Sequence, residues 1–287
     1  EGKYMEYIAK TTQSHVKVIQ GAVCCLNKEA AVIPVMGRRT LANRYSLKVN
    51  ANEKLEFEKK SIFFSERDKE FTYLEEENRL EEIKKESAKL IRELEELSYD
   101  ELFKRSESKW KEYFDKSKID IGTDDNYIKT SINFALYHLR IMVKADDNRV
   151  GIGTKALSGE GYKGHSFWDT ELFILPYFTY THSEIARTLL EYRYHNLYGA
   201  RIKAKENGYE GAMYPWECAW VDDGEVTPLY MGADIVTGEI TKVWTGLIEH
   251  HITADIVYAI DNYYRVTNDD DYMERYGYEI ILSLIHI

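Results

Sequence analysis

Residues 252–263 read ITADIVYAIDNY, and their apolar side chains recur every three or four positions. At about 3.6 residues per turn, this spacing places them on one face of an amphipathic α-helix. The members of that face are Ile252, Ile256, Ile260 and Tyr263. The same periodicity recurs in residues 128–139 and 184–205. Strands do not alternate with these segments, so the sequence predicts that residues 119–281 are mainly α rather than a parallel α/β sheet.

The preceding region, residues 69–118, predicts two more helices. Leucine and isoleucine recur there at helical spacing among many glutamates and lysines. The positions are Leu80, Ile83, Leu90, Leu94 and Leu97. Ser98 and Glu101 form the pattern S-x-x-E, a capping box that marks the start of the second helix. We interpret the region as a helical linker whose charged faces lie in solvent.

Residues 1–68 predict β-structure, because apolar and polar residues alternate with a period of two. The apolar positions are Tyr45, Leu47, Val49, Leu55 and Phe57. Asn52 and Glu53 lie between the two alternating runs, where a hairpin turn is expected. The sequence thus predicts the C-terminal part of an antiparallel β-sandwich.

The composition is that of a soluble globular protein and argues against several classes. Of the 287 residues, 44% are hydrophobic, and the formal net charge is -11. No apolar run approaches the roughly 18 residues that indicate a membrane span, and an acidic surface argues against nucleic acid as a partner. Cys24, Cys25 and Cys218 form neither a disulfide framework nor a C-x-x-C metal pair. This favours a reducing, cytoplasmic setting.

A glycine-rich stretch lies at residues 151–164. Its glycines are Gly151, Gly153, Gly159, Gly161 and Gly164. Backbone N–H groups of such loops can bind phosphate, but neither G-x-G-x-x-G nor G-x-x-x-x-G-K-[ST] is present. A loop whose turns need positive φ is the simpler interpretation.

Two loops combine a tryptophan with an acid, as sugar sites do. Trp168 precedes Asp169 in the segment FWDTE, and Trp216 precedes Glu217 in the segment GAMYPWE. An indole packs on the C–H face of a pyranose, while a carboxylate accepts hydrogen bonds from its hydroxyls. The alternatives are that Asp169 caps the next helix beside an aromatic core anchor, and that Trp216 only packs.

A histidine and a carboxylate, His251 and Asp255, are four residues apart and share a helix face. Such a pair could bind a metal, but the pattern H-E-x-x-H and a third ligand are missing, so no metal is expected. The alternative is that the pair lines a sugar pocket or caps the helix. No G-x-S-x-G elbow occurs, so acyl transfer is not supported.

The run IGTKALSGEGYKGHSFWDTELFILP at residues 152–176 closely resembles a signature loop of glycoside hydrolase family 65. That family contains kojibiose, maltose, nigerose and trehalose phosphorylases. Further similar runs are Tyr192-Arg193-Tyr194, GAMYPWE at 211–217, WTGLIEHHITADIVYAI at 244–260 and YYRVTND at 263–269. The resemblance covers almost all of residues 119–281.

The resemblance implies a fold and a set of sugar-binding residues. The fold is a super-β-sandwich, a helical linker and an (α/α)6 barrel, so the chain would hold the end of the sandwich and the N-terminal part of the barrel. By the same resemblance, Trp168 and Asp169 bind the non-reducing glucose. Trp216, Glu217 and Thr245 would be further sugar-binding residues. No cofactor or metal is implied, and the full-length protein is expected to be a homodimer.

The reaction implied by the resemblance is phosphorolysis with inversion, in which an α-glucoside and phosphate give β-glucose 1-phosphate and a free sugar. Phosphate is already an anion, so one general acid suffices, and no base is needed to activate water. The stretch Trp244–Gly246 favours a kojibiose-like acceptor, although Leu247 stands where kojibiose-type members tend to carry an acid. The alternatives are a related hydrolase such as an acid trehalase, and a noncatalytic carbohydrate-binding protein.

The general acid of the family lies in a GPDEYH-like motif that this sequence does not contain. We therefore expect the acid beyond the C-terminus and no catalytic residue in this chain. We also expect an inactive, poorly soluble fragment, because an open barrel leaves apolar faces uncovered. The last six residues, LSLIHI at 282–287, resemble a translated sequencing adapter and are expected to be non-native. The alternative is that they extend the preceding helix.

Overall fold

The computed structural model describes residues 4–156, 159 and 161–284. The chain forms two compact units, Glu1–Glu112 and Tyr113–Ile287. Strands of the first unit are β1 (Tyr4–Lys10), β2 (Lys17–Leu26), β3 (Ala31–Gly37), β4 (Thr40–Ser46) and β5 (Phe57–Ser65). They form an antiparallel sheet in the order β1-β2-β5 and a separate antiparallel pair, β3-β4.

The sequence predicts that the strands before and after Asn52 pair with each other, and this prediction is wrong. A turn is present, since Asn52 has a φ of 65° and the N–H of Glu53 donates to the carbonyl of Asn50 over 3.1 Å. However, β5 pairs with β2, and β4 pairs with β3. The physical reason is burial. Strand β2 offers a run of buried side chains, whereas β4 has none that is fully buried.

Two long helices follow the strands, α1 (Glu76–Glu96) and α2 (Tyr99–Ser117), as the linker sequence predicts. Helix α1 covers the three-stranded sheet with its apolar face. Ile83 packs with Ile19 and Phe71. About two turns further along α1, Ile91 packs with Val23 and Ile62. The boundary between the units falls within α2.

The predicted capping box at the start of α2 is confirmed. The backbone N–H and the hydroxyl of Ser98 both donate to Glu101 Oε2 over 2.8 Å. In return, the Glu101 N–H donates to Ser98 Oγ over 3.3 Å. The hydrogen bonds from Ser98 hold the pKa of Glu101 below its ordinary value. The box therefore satisfies N–H groups that a helix start leaves without partners.

We expect Ser98→Ala to lower the free energy of unfolding by about 1 kcal/mol, the usual cost of losing a serine cap. Ser106→Ala is the matched control, because Ser106 lies exposed within the same helix. Urea unfolding followed by circular dichroism measures both changes. Equal stability losses in the two variants would contradict a capping role for Ser98.

The second unit is helical. Its helices are α3 (Asn126–Ile141), α4 (Leu175–Thr181), α5 (Ser183–His195), α6 (Leu197–Glu206), α7 (Thr245–Ile248), α8 (Ile252–Thr267), α9 (Asp270–Tyr272) and α10 (Tyr278–Leu284). A hairpin of β6 (Tyr230–Ala233) and β7 (Ile240–Lys242) precedes α7. Helices α4, α5 and α8 pack on one another, and all four predicted positions on the apolar face of α8 are buried. None of the described helices combines the length and apolarity needed to span a bilayer.

The mainly α architecture with antiparallel strands is confirmed, but the single helix predicted over residues 184–205 is wrong. It is divided into α5 and α6 at Asn196, which is fully buried. The side-chain amide of Asn196 donates to the Tyr192 carbonyl over 2.8 Å, and its backbone N–H donates to the same carbonyl over 3.1 Å. Asparagine interrupts a helix because its short side chain competes for backbone groups.

The C-terminal residues lie partly in α10. Helix α10 includes residues 282–284, and residues 285–287 lie outside the described part of the chain. The expectation that 282–287 are non-native stays a prediction.

Candidate functional site

The two tryptophan-acid loops lie side by side. The N–H of Ser166 donates to the Cys218 carbonyl over 2.8 Å, and the Cys218 N–H donates back over 2.9 Å. Ser166 also forms an antiparallel bridge with Gly153. Three segments, at residues 153, 166 and 218, therefore form one short irregular sheet. The tryptophan-acid pairs predict both loops, but nothing in the sequence predicts that the two loops pair with each other.

A buried ion pair fixes the two loops to α5. The guanidinium of Arg193 donates from Nε and Nη2 to the two carboxylate oxygens of Glu171, each over 2.7 Å. The same guanidinium donates to the Phe167 carbonyl over 2.9 Å and to Cys218 Sγ over 3.1 Å. The side chains of Arg193 and Glu171 are 1% and 2% exposed. Burial opposes the charge on Arg193, yet the Glu171 carboxylate holds the pKa of Arg193 well above its ordinary value.

The segment that carries Trp168 and Asp169 is followed directly by a π-type turn at Thr170–Ile174. Such turns widen the helix and are frequent at functional sites. Asp169 makes no capping hydrogen bond to this turn, so the alternative that it caps the next helix is wrong. It is exposed, Trp168 is half-buried, and the neighbouring Phe167 is buried. Phe167 is thus the core anchor, and Trp168 keeps part of its ring accessible.

The second loop places Trp216 and Glu217 against the first. The rings of Trp216 and Phe167 meet edge to face with centroids 5.9 Å apart. Glu217 is buried, and its Oε2 lies 2.7 Å from Nδ1 of His165. No sequence pattern assigns a role to His165. The residues next to His165 in sequence do not indicate its role, because its partner, Glu217, lies in the other loop.

A second buried ion pair organises the backbone of the second loop. Lys203 is buried in α6 and donates a short hydrogen bond to Glu225 Oε2. Glu225 also accepts from the N–H groups of Trp216 over 2.9 Å and of Glu217 over 3.2 Å, and from the Thr227 hydroxyl over 2.6 Å. Burial raises the pKa of Glu225, but the bonds from Lys203 and Thr227 outweigh it, so the pKa lies below its ordinary value.

We expect Glu225→Gln to lower the free energy of unfolding by about 2 kcal/mol at pH 7, because Lys203 then stays buried beside a neutral partner. Because the folded pKa of Glu225 is depressed, its contribution is present above the unfolded pKa and is lost as the pH falls. The difference between the two proteins should therefore shrink below about pH 4.5, near the pKa of a free glutamate. Urea unfolding at several pH values measures this difference.

The control for Glu225→Gln is Glu206→Gln, an exposed position at the end of α6. It should change the stability little at any pH. A pH-independent loss in Glu225→Gln would contradict the ionised pair with Lys203.

Thr245 is the first residue of α7 and is half-buried. The next residue, Gly246, lies tightly against the Glu225 network. A Cβ atom there would come within 3.0 Å of Thr227 Cβ and 3.2 Å of Glu225 Cδ. The Thr245 segment therefore meets the same carboxylate that holds the backbone of Trp216 and Glu217.

His251 lies beside both tryptophans. Its ring is edge to face with Trp168, at 4.9 Å between centroids, and with Trp216, at 6.3 Å. Its Nδ1 lies 2.5 Å from Oδ2 of Asp255, and its side chain makes no capping hydrogen bond to α8. Of the two alternatives for this pair, the helix cap is therefore wrong. Within the described residues, no group of three histidine, cysteine or acidic side chains is placed to hold a metal.

The glycine-rich stretch turns sharply before the first loop. Tyr162, Lys163 and Gly164 have φ values of 56°, 54° and 78°, the left-handed region. Gly151 is needed for a different reason, since a Cβ there would lie 2.3 Å from Ser166 Oγ. The positive-φ interpretation thus holds at Gly164. Residues 157, 158 and 160 of this stretch lie outside the described residues.

Comparison with known families identifies the chain. The sequence model of the glycosyl hydrolase family 65 central catalytic domain matches residues 133–287. The chain belongs to glycoside hydrolase family 65. This match includes both tryptophan-acid loops and helix α8.

Relatives of this family 65 chain include several phosphorylases. The kojibiose phosphorylase of Halothermothrix orenii is 47% identical over 250 residues, which cover 87% of this chain and 31% of the relative. The nigerose phosphorylase of Lachnoclostridium phytofermentans is 31% identical over 269 residues, covering 93% and 34%. A solved structure of a protein from the human microbiome shares the fold, with a TM-score of 0.77 and 21% identity over 99% of this chain and 34% of that one. The chain spans about a third of the length of these relatives.

Proposed function

We propose that this family 65 chain is the donor-sugar part of a disaccharide phosphorylase. The enzyme would cleave an α-linked glucose disaccharide, kojibiose being favoured, and give β-glucose 1-phosphate and a free sugar. The observation that carries the proposal is the pairing of the two tryptophan-acid loops through Ser166 and Cys218. Support for the substrate class comes from four kojibiose phosphorylases that are 42% to 51% identical over the matched residues.

The proposed roles follow from exposure and chemistry. Trp168 presents a half-buried indole face for the C–H face of the non-reducing glucose, and the exposed Asp169 accepts hydrogen bonds from its hydroxyls. Trp216 and Glu217 would contact the sugar from the second loop. Thr245 would add a hydroxyl from the start of α7. Charged hydrogen bonds of this kind fix the orientation of a ligand.

The proposed reaction is inverting and uses phosphate as a cosubstrate, without a cofactor or a metal. Its general acid lies outside these 287 residues, because the GPDEYH-like motif is absent from the sequence. The 287-residue chain alone would therefore bind sugar at most and would be inactive. The proposal also includes completion of the helical unit to an (α/α)6 barrel, a β-sandwich before it, and a cytoplasmic homodimer.

A substrate assay tests the proposal on the full-length protein. Kojibiose, nigerose, maltose and trehalose are each supplied with and without phosphate, and the yield and anomer of glucose 1-phosphate are measured. Phosphate-dependent β-glucose 1-phosphate from kojibiose is the expected result. Equal glucose release without phosphate would replace the phosphorylase by a hydrolase. Sugar binding without turnover would leave a carbohydrate-binding protein.

A further inference from the structure

We infer that His251 is a positioning residue, which holds the rings of Trp168 and Trp216 in fixed orientations, and that Asp255 in turn orients His251. The inference about the rings stands on their geometry. Its consequence for sugar binding rests on the proposed function.

The first support is the position of the imidazole relative to the two indoles. Its plane is 89° from that of Trp168 and 82° from that of Trp216. Edge-to-face contact is a favoured arrangement of aromatic rings. The two indoles belong to different loops, and His251 contacts both. One side chain therefore couples the orientations of the two rings that are proposed to receive the sugar.

The second support is the rigidity of the element that carries His251. The residue precedes α8, whose Ile252, Ile256 and Ile260 have no exposed surface. Thr253, in the first turn, accepts a hydrogen bond from the Tyr214 N–H over 3.0 Å. Tyr214 lies two residues before Trp216. The start of α8 is thus attached directly to the second loop, and the imidazole is fixed relative to it.

The third support is the carboxylate at Asp255. Nδ1 lies 2.5 Å from Oδ2 of Asp255, within hydrogen-bonding distance, and Nδ1–H donates to the carboxylate because an ionised carboxylate can only accept. Nε2 lies 3.6 Å from Glu249 Oε2, which is too long for a hydrogen bond. Asp255 therefore determines the rotation of the ring, as carboxylates do for functional histidines.

Neighbouring residues provide matched controls. His250 is adjacent and exposed, and its ring contacts Tyr209 with centroids 5.9 Å apart. Asp261 lies on the same helix and pairs with the exposed Arg265. His250→Ala and Asp261→Asn therefore repeat the chemical changes of His251→Ala and Asp255→Asn away from the tryptophans.

The structural test is fluorine NMR of full-length protein labelled with 5-fluorotryptophan, without sugar. The signals are assigned with single Trp→Phe variants. We expect His251→Ala to shift the signals of Trp168 and Trp216 and to leave that of Trp220 in place. His251→Phe, which keeps a ring, and Asp255→Asn should give smaller shifts. His250→Ala and Asp261→Asn should give none. An unmoved pair of signals in His251→Ala would overturn the inference.

The kinetic test asks whether the ring geometry serves sugar binding. Loss of ground-state positioning should raise KM for the disaccharide about 10-fold and change kcat less than about 3-fold in His251→Ala. A fall in kcat at constant KM would show that His251 acts on the chemical step and would overturn the positioning role. If the unaltered protein turns over none of the four sugars, the proposed function fails, while the fluorine signals still decide the role of His251. Should His251→Ala not fold, His251→Phe and Asp255→Asn decide both tests.

Discussion

Arg193→Met is expected to lower the free energy of unfolding by about 3–5 kcal/mol, the usual cost of leaving one member of a buried ion pair without its partner. Glu171 would stay at 2% side-chain exposure and lose both of its 2.7 Å hydrogen bonds. The Phe167 carbonyl and the Cys218 thiol would each lose a donor as well. Urea unfolding of the chain, followed by tryptophan fluorescence, measures the loss.

Two further variants show whether the charge is responsible. The double variant Arg193→Met/Glu171→Met leaves no buried charge unpaired. Its free energy of unfolding should therefore be higher than that of Arg193→Met alone. Arg265→Met removes an ion pair with Asp261 whose members are 74% and 50% exposed, and it should change the stability by less than about 1 kcal/mol. A double variant as unstable as the single one would indicate that lost packing, rather than the unpaired charge, dominates.

Local rules predict much of the helical structure. The capping box at Ser98 and the apolar face of α8 depend on residues that are three or four positions apart, and both are found. The failures have a different origin. The pairing of β5 with β2 joins residues that are more than thirty positions apart, and the break at Asn196 depends on one buried side-chain amide. The strand pairing therefore leaves no signal within one turn of sequence, whereas Asn196 bonds to Tyr192 only four positions away, and what the sequence hides there is the burial of its amide.

The candidate site divides in the same way. Tryptophan next to an acid indicates both loops, because an indole suits the C–H face of a sugar and a carboxylate suits its hydroxyls. The residues that join the loops cannot be recognised from a local pattern, because Arg193 and Glu171 are 22 positions apart. One signal was present. Arg193 stands four positions after Leu189 on the apolar face of the predicted helix, and a charge on a buried face requires a buried partner. The sequence alone does not identify that partner.

Asp169→Asn is expected to lower kcat/KM of the full-length protein about 100- to 1,000-fold, because its carboxylate is proposed to accept roughly two charged hydrogen bonds from the sugar. The carboxylate is exposed beside the half-buried Trp168 and makes no capping bond to the turn that follows. Its removal should therefore cost little stability. Initial rates of glucose 1-phosphate formation from kojibiose measure the effect.

The stability of the same variant separates binding from folding. The free energy of unfolding of Asp169→Asn should differ from that of the unaltered protein by less than about 0.5 kcal/mol, as expected for a surface substitution. Asp124→Asn, an exposed aspartate before α3, should change neither activity nor stability. If Asp169→Asn loses activity and stability together, the carboxylate supports the loop, and its role as a sugar ligand fails. If it loses neither, the donor sugar is held by other groups, and the second loop with Trp216 and Glu217 becomes the first place to look for them.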